Sequence, residues 1–334
     1  MHASANRPSA ESVWTGRIDG DTPEFARWHQ VVRPTEADRP VNTGSARPSV
    51  AVVGFASDEG VRRNHGRPGA AEGPTALRRA LAPLAVHCDV AIVDAGDIEV
   101  DGTDLEAGQQ QLGFAVAELL DSGHLVIVLG GGHESAYGSG VGRANSTRLA
   151  GKRAGILNLD AHFDLRQSAQ ASSGTPFAQI ARDDLEADRE FVYAVIGICR
   201  DANTASLFSV AADLHARYLL DVDCQPGKRL AVLDFVDEFL ADVEIVHLSI
   251  DLDVLPASVA PGVSAPAGFG VPMEVLIAVC DRVAASGKLV VVDVVELNPP
   301  HDTDGRTARS AARLISTLTH GYCRDPRADQ HENR

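Results

Sequence analysis

The chain has 334 residues, a formal net charge of −16 and a sequence pI near 5.1. This length allows one large domain or two small ones, and either buries enough apolar surface to fold without disulfides. The acidic charge balance disfavours nucleic acid and anionic membranes as partners, so a small-molecule substrate is the default expectation.

The cysteine pattern and the lack of a targeting segment favour a cytoplasmic protein. The cysteines are scattered, form no Cys-x-x-Cys pair and therefore indicate reduced thiols rather than a zinc-thiolate site. No basic start is followed by an apolar core, and no apolar run approaches membrane-spanning length. The five cysteines are Cys88, Cys199, Cys224, Cys280 and Cys323.

The composition divides the chain into three parts. Residues 1–48 are polar and irregular, and we predict an N-terminal arm that packs onto the body through aromatic side chains such as Trp14 and Trp28. Residues 49–322 show no break in composition and are predicted to form a single catalytic domain. The last residues, 323–334, are predicted to be a polar C-terminal tail.

Within that domain, short β-branched apolar runs alternate with longer Ala/Leu-rich helical stretches. Runs such as Leu125–Leu129 are apolar continuously rather than at every second position, as expected for strands covered by helices on both faces. This pattern predicts an α/β fold with a doubly wound, mostly parallel sheet of about eight strands. The predicted strands are 49–55, 89–94, 124–129, 154–160, 191–197, 217–221, 244–251 and 288–296.

Ionisable residues follow four of these predicted strands at the point where each apolar run ends. Open parallel sheets bind ligands at the carboxyl ends of their strands, so these side chains are expected to converge on one rim. Acidic or imidazole side chains spaced by two residues at a strand end point the same way. The residues are His133 after three glycines, Asp160, His162 and Asp164, the pair Asp251 and Asp253, and Glu296.

Four aspartates in one cleft would repel one another unless cations compensate their charge, because an unpaired buried carboxylate is strongly destabilising. Two divalent ions would balance the four negative charges, with the two histidines as neutral ligands. A set of carboxylate oxygens and imidazole nitrogens suits Mn²⁺, although cobalt, iron or zinc could replace it. A pair of such ions activates water, so the sequence predicts a hydrolase that uses two Mn²⁺ per subunit.

Several motifs also have simpler interpretations. His133 alone would more often be a structural histidine, and only its glycines and its partners favour a metal ligand. The glycines of 138–142 have the wrong spacing for a nucleotide-binding loop. Asp221 and Asp223 repeat the carboxylate spacing, but a solvated strand end explains them better. The role of Glu134 stays open.

The combined motifs resemble the ureohydrolase family, which includes arginase and agmatinase. The resemblance rests on 130–133, 160–164, 249–253 and 296–299 and extends over roughly 49–320. It implies an arginase-like α/β fold and a binuclear manganese site. By the same resemblance Asp160 and Asp251 would bridge the two ions; His133 with Asp164 would complete one site, and His162 with Asp253 the other.

Within that family the chain is most similar to the formimidoylglutamase members, in the runs 164–166, 173–177, 197–204 and 296–300. Ser173 stands where arginases and agmatinases carry a histidine just before a glycine. The resemblance implies hydrolysis of N-formimidoyl-L-glutamate to L-glutamate and formamide, a step of histidine degradation. It also implies that the protein is a homo-oligomer.

For this reaction, Asp164 is predicted to deliver the proton to the departing nitrogen, and Glu296 to pair with the cationic amidine. Guanidinium groups grip carboxylates in two-point geometry, so arginines are expected around the substrate's carboxylates. Two alternatives stay open: agmatinase or another guanidine hydrolase, and an inactive metal-binding scaffold. The predicted substrate-binding residues are Arg166, Arg200, Asn203 and Ser173.

Overall fold

The structure is a computed structural model that describes residues 13–35 and 48–324. Within this part of the chain, nine strands form one sheet in which every pair of neighbouring strands is parallel. The predicted α/β fold is confirmed, and all eight predicted strands are present with small differences at their ends. The strands are β1 Val32–Pro34, β2 Ser49–Ala56, β3 Ala91–Glu99, β4 Leu125–Leu129, β5 Ala154–Leu159, β6 Val192–Ile198, β7 Arg217–Leu220, β8 Ile245–Asp251 and β9 Leu289–Val295.

Helices cover both faces of the sheet. The helices α3, α8, α9 and α10 pack on one face, and α4 to α7 on the other. Because both faces are covered, all five residues of β4 are buried, which explains its continuous apolar run. The helices are α1 Trp28–Val31, α2 Glu59–Arg63, α3 Gly73–Leu81, α4 Leu105–Asp121, α5 Ser135–Asn145, α6 Pro176–Glu186, α7 Ala205–Asp213, α8 Arg229–Ala241, α9 Met273–Ala285 and α10 Arg306–Cys323.

The described part of the predicted N-terminal arm packs onto the body. Trp28 is fully buried and stacks on Trp14 with ring centroids 6.3 Å apart. The strand β1 then pairs with β3 and forms one edge of the sheet. Residues 1–12 and 36–47 of the predicted arm, and 325–334 of the predicted C-terminal tail, lie outside the described residues.

A buried ion pair ties α3 to β3. The guanidinium of Arg78 donates to both carboxylate oxygens of Asp94 at 2.8 and 2.9 Å and to Asp97 at 2.5 Å. The indole of Trp14 donates to the same Asp94 at 2.7 Å. Burial alone would raise the pKa of Asp94, but its contacts with Arg78 and Trp14 outweigh burial and lower it. The ion pair therefore joins the N-terminal segment, a helix and a strand.

The strand order places a crevice in the middle of the sheet. The order is β1-β3-β2-β4-β9-β8-β5-β6-β7, so β4 and β5, which are consecutive in the chain, are separated by β9 and β8. The direction of chain progression reverses there, and parallel sheets bind ligands outside the carboxyl ends of strands at such a point. The four central strands are the ones that end in the predicted site residues. Among the described helices, none is long and apolar enough to span a membrane.

Candidate metal centre

The glycine loop after β4 brings His133 into the crevice through a very close backbone approach. A Cβ atom at Gly131 would lie 1.8 Å from the carbonyl oxygen of Ser57, so only glycine fits there. The carbonyl of Gly131 accepts from the backbone N–H of Glu296 at 2.8 Å, and the carboxylate of Glu296 accepts from the backbone N–H of His133 at 2.9 Å. The ends of β4 and β9 are thereby locked together.

The imidazole of His133 is held on one side and faces carboxylates on the other. Its Nε2 lies 2.9 Å from the hydroxyl of Ser249 on β8. Its buried Nδ1 has no hydrogen-bond partner among the described residues, although it lies 3.3 Å from Asp160, 2.9 Å from Asp164 and 3.2 Å from Asp251. A nitrogen surrounded by three carboxylates in this way is arranged as a metal ligand.

The six predicted ligands form two groups that share one residue. His133, Asp160, Asp164 and Asp251 make the first group, and Asp160, His162 and Asp253 the second, with ligand atoms within 4.8 Å of one another in each. In the second group, Nδ1 of His162 lies 3.0 Å from Asp253 and 3.5 Å from Asp160. Asp160 is thus the residue that the two groups share, and Asp251 lies in the first group.

Hydrogen bonds from the surrounding chain fix the orientation of these carboxylates. Asp160 accepts from the side-chain amide of Asn158 at 2.9 Å and from the backbone N–H of His162 at 2.6 Å. Asp251 accepts from the backbone N–H of Asp253 at 2.8 Å. Such outer contacts leave the remaining lone pairs of each carboxylate directed at a common centre.

The electrostatics of the cluster fit bound cations. Burial, followed by the neighbouring carboxylates, raises the pKa of Asp251 well above its ordinary value. The pKa values of Asp164 and Asp253 are also raised, with burial again the main cause. These carboxylates need compensating positive charge to be ionised together. The buried, unpartnered Nδ1 of His133 adds a neutral nitrogen ligand. The residues therefore fit two divalent ions.

Two glutamates lie next to the cluster, but only one reaches the cavity above it. Burial, and then repulsion from Glu134, raises the pKa of Glu296 to about 8. Burial raises the pKa of Glu134 to about 7. Glu296 lines the cavity, whereas Glu134 accepts from the hydroxyl of Ser57 at 3.2 Å and from the backbone N–H of Gly60 in α2 at 3.0 Å. Glu134 thus connects the glycine loop to α2.

The site also contains backbone in unfavourable conformations. Asp164 has φ 48°, Glu296 has φ 67° and His65 has φ 62°, all in the left-handed region that disfavours residues with a side chain. Each of the three lines the cavity. Conformations of this kind persist where the surrounding structure imposes them, which is common at functional sites.

A cavity of about 290 Å³ opens above the two ligand groups. Four of its side chains are carboxylates, and several others are hydrogen-bond donors or cations. The cavity therefore offers surfaces for both a cationic and an anionic end of a ligand. Its lining is Asn64, His65, Gly66, His162, Asp164, Arg166, Ser173, Leu207, Asp251, Asp253, Ser264, Ala265 and Glu296.

The predicted substrate-binding residues occupy different places. Arg166 and Ser173 line the cavity. Arg200 is not among the lining residues, and its guanidinium lies 5.9 Å from the ring centroid of Phe208. The side chain of Asn203 is buried and donates to two backbone carbonyls at 2.9 and 2.8 Å, which leaves it holding the loop after β5.

Two lining residues carry no signal in the sequence. Asn64 and His65 follow α2, roughly a hundred residues before the ligands of the central motif, and only the fold brings them to the cavity. The amide of Asn64 donates to the hydroxyl of Ser173 at 3.1 Å. An alternation of polar residues at a strand end could not have identified them, because neither lies at the end of a strand.

Residues 48–321 match the model of the arginase family, and the chain belongs to that family. It is 59% identical over 306 residues to a formimidoylglutamase of Nocardia farcinica, with 91% of this chain and 95% of the relative covered. A formimidoylglutamase of Rhodococcus opacus is 53% identical over 307 residues, with 91% and 94% covered.

Solved structures agree on the fold. The crystal structure of Trypanosoma cruzi formiminoglutamase with Mn²⁺ is 26% identical, covers 86% of this chain and 100% of its own, and superposes with a TM-score of 0.75. The formimidoylglutamase of Bacillus subtilis superposes with a TM-score of 0.77 at 18% identity, covering 95% and 98%. At that identity the second likeness supports the fold alone.

Proposed function

We propose that this protein is a formimidoylglutamase, a hydrolase that converts N-formimidoyl-L-glutamate and water to L-glutamate and formamide. The observation that carries the proposal is the pairing of the two ligand groups with a cavity that presents both carboxylates and Arg166. The substrate has the matching chemistry, because its amidine is cationic and its glutamate part carries two carboxylates. The names of the Nocardia farcinica and Rhodococcus opacus relatives agree with this assignment.

The metal ligands would hold two Mn²⁺ ions, as in the related Trypanosoma cruzi structure. We assign His133 and Asp164 to one ion and His162 and Asp253 to the other. Asp160, which belongs to both ligand groups, and Asp251 would be shared by the two ions. When bound, the ions would supply Lewis acidity and lower the pKa of a water molecule. The protein's own side chains would hold the ligands in place and position the substrate above them.

Glu296 would orient the amidine. Its carboxylate lines the cavity, while one of its oxygens already accepts from the backbone of His133, so its direction is fixed. A carboxylate held in this way can pair with the amidinium N–H groups and place the formimidoyl carbon over the ligand groups. Glu296 is therefore expected to affect both substrate affinity and turnover.

Asp164 would carry the proton. The reaction breaks the bond between the formimidoyl carbon and the glutamate nitrogen, and that nitrogen must receive a proton as it leaves. Asp164 lines the cavity and is placed to hold the proton given up by the water on a carboxylate oxygen until it passes to the nitrogen. Arg166 would bind a carboxylate of the glutamate part, with Ser173 beside it. Arg200 and Asn203 do not line the cavity, and their predicted role at a substrate carboxylate is tested by mutation.

The remaining expectations follow from this assignment. We infer a cytoplasmic homo-oligomer that acts on a small molecule of histidine degradation and has no nucleic-acid or membrane partner. The acidic net charge of −16 supports the last point. Size-exclusion chromatography with light scattering tests the oligomeric state.

The decisive experiment measures glutamate release from N-formimidoyl-L-glutamate by enzyme loaded with Mn²⁺, with arginine, agmatine and guanidinobutyrate as parallel substrates. Asp251→Asn is expected to lower turnover by at least about 1,000-fold, because it removes a ligand and a negative charge. Asp223→Asn is the matched control, since Asp223 has the same spacing to a preceding aspartate but lies half-exposed beside Lys228.

Turnover of a guanidine compound but not of N-formimidoyl-L-glutamate would support hydrolysis at the metal site and refute the proposed substrate. Full activity in Asp251→Asn would refute the metal site. Bound metal without turnover on any of the four compounds would instead support an inactive scaffold.

A further inference from the structure

We propose that Asn64, on the loop after α2, is a specificity-determining residue that binds a substrate carboxylate together with Arg166. This inference rests on the proposed function and extends it to a residue outside the strand-end motifs. It comes from a cluster of hydrogen-bond donors at one part of the cavity, defined by Asn64, Arg166 and Ser173 and here named the donor cluster.

Distances place the donor cluster around Gly174. A Cβ atom built at Gly174 would lie 2.8 Å from Cδ and 3.0 Å from Nε of Arg166, and 3.2 Å from Nδ2 of Asn64. The guanidinium and the amide therefore approach the same point from two sides. Both groups also line the cavity, so one carboxylate of a ligand bound there could accept from the guanidinium and the amide together.

The donors have capacity left for a ligand. The amide of Asn64 gives one hydrogen to Ser173 at 3.1 Å, and an NH₂ group has a second hydrogen to donate. Arg166 forms no hydrogen bond or ion pair through its guanidinium among the described residues, although the chain is strongly acidic. Arg166 is the one arginine among the residues that line the cavity, and a guanidinium without an acidic partner is well suited to an anionic group.

The position of Asn64 is firmly set. Its backbone N–H donates to Gly60 in α2 at 3.0 Å, and Gly66 donates back to Val61 at 2.8 Å, so the chain turns sharply after the helix. Glu134 holds the start of the same helix through Gly60. A loop fixed at both ends presents its amide without a large loss of conformational entropy on binding.

The experiment compares Asn64→Ala and Asn64→Asp with wild type in the Mn²⁺-loaded enzyme. Asn64→Ala is expected to raise KM for N-formimidoyl-L-glutamate roughly 10-fold, the effect of losing one hydrogen bond to a charged group. Asn64→Asp is expected to raise it roughly 100-fold, because a carboxylate repels a carboxylate. In both variants kcat should stay within about 3-fold, as for a contact made equally in ground and transition states.

Gly174→Ala is the second variant, and it should also raise KM because the new methyl group would lie within 3.2 Å of both donors and displace them. Calorimetric titration with glutarate, a dicarboxylate without the amidine, gives a readout that does not depend on turnover, and its Kd should weaken in parallel. Arg62→Ala is the matched control, because Arg62 lies in α2, is half-exposed and, within the described part of the chain, pairs with Asp58 and Glu59.

The outcomes separate this inference from the proposed function. No turnover of N-formimidoyl-L-glutamate by the wild type would refute the function itself. Normal wild-type turnover with unchanged KM and unchanged glutarate binding in both Asn64 variants would refute the role of Asn64 alone. A lower Tm or lost metal in Asn64→Ala, without the stronger effect of Asn64→Asp on KM, would give Asn64 a purely structural role and also overturn the inference.

Discussion

The orientation of individual side chains in this site is set by hydrogen bonds on the side that faces away from the cluster. His133 illustrates this, because its Nε2 meets the hydroxyl of Ser249 while its Nδ1 faces three aspartates. The hydrogen bond selects the ring orientation and leaves Nδ1 available as a ligand. The same principle applies to Asp160, whose oxygens are oriented by Asn158 and by the backbone of His162.

Two arginines predicted to bind the substrate can be told apart experimentally. Arg166 lines the cavity and lacks an acidic partner among the described residues, whereas Arg200 lies over the ring of Phe208. Arg166→Ala is therefore expected to raise KM by roughly 100-fold, the loss of a charge-assisted contact, and Arg200→Ala by less than about 3-fold. Steady-state kinetics with N-formimidoyl-L-glutamate measures both.

A strong rise of KM in Arg200→Ala alone would assign the carboxylate contact to Arg200 and remove Arg166 from it. Metal content measured in both variants serves as the control, because neither arginine contacts a predicted ligand. Equal and strong effects would mean that the two arginines bind different carboxylates of the same substrate.

At this scale the sequence carries a stronger signal for the predicted ligands than for the predicted substrate contacts. Asp160 and Asp251 directly follow apolar runs and His133 follows one after three glycines, and the ends of parallel strands must meet at one edge. Asn64 was not, since its place at the cavity depends on how α2 packs against the glycine loop. Asn203 carries a suggestive amide, but its hydrogen bonds hold a loop.

Secondary-structure elements are joined by polar contacts as well as by the apolar core. The link between α3 and β3 depends on Arg78, whose exposed fraction is only 4%. Its guanidinium donates to Asp94 and Asp97 together, so the buried cation has two acidic partners although little water reaches it. A helix face that is mostly apolar thus contains one cation that the sequence pattern alone would have assigned to the surface.

Arg78→Ala is expected to lower the free energy of unfolding by about 3–5 kcal/mol, because it leaves the buried carboxylate of Asp94 without a compensating cation. The neighbouring Arg79 is exposed, so Arg79→Ala should change it by less than about 0.5 kcal/mol. Urea unfolding followed by circular dichroism gives both values. Equal midpoints for the two variants would mean that the ion pair contributes nothing to the attachment of α3.

The strands show where prediction by pattern reaches its limit. Eight strands are predicted because each is a short, mostly apolar run between helical stretches. The ninth, β1, has only three residues and includes Arg33 and Pro34, which are unfavourable in a sheet interior. It forms at the edge, where one side of a strand needs no partner, and its neighbour Trp28 anchors it.

The central position of the predicted metal site couples ion binding to the stability of the whole fold. The ligands come from the ends of β4, β5 and β8, which lie in the centre of the sheet. Bringing these strands together also brings together several buried carboxylates, and their mutual repulsion opposes folding. Ions that bind the folded chain remove this repulsion and add their binding free energy to its stability.

Mn²⁺ should therefore raise the melting temperature of the protein. An ion present at 100 times its Kd stabilises the folded state by about 2.7 kcal/mol, so two ions contribute roughly 5 kcal/mol. For a domain of this size that corresponds to a shift of roughly 10 °C.

Scanning calorimetry of protein treated with chelator and then titrated with Mn²⁺ measures the shift. Asp223→Asn should respond like the wild type, whereas Asp251→Asn should show a smaller rise, since it lacks a ligand in the first group. A wild-type melting temperature that does not depend on Mn²⁺ would contradict the assignment of these residues as metal ligands. An ion that binds the folded chain at these carboxylates must stabilise it.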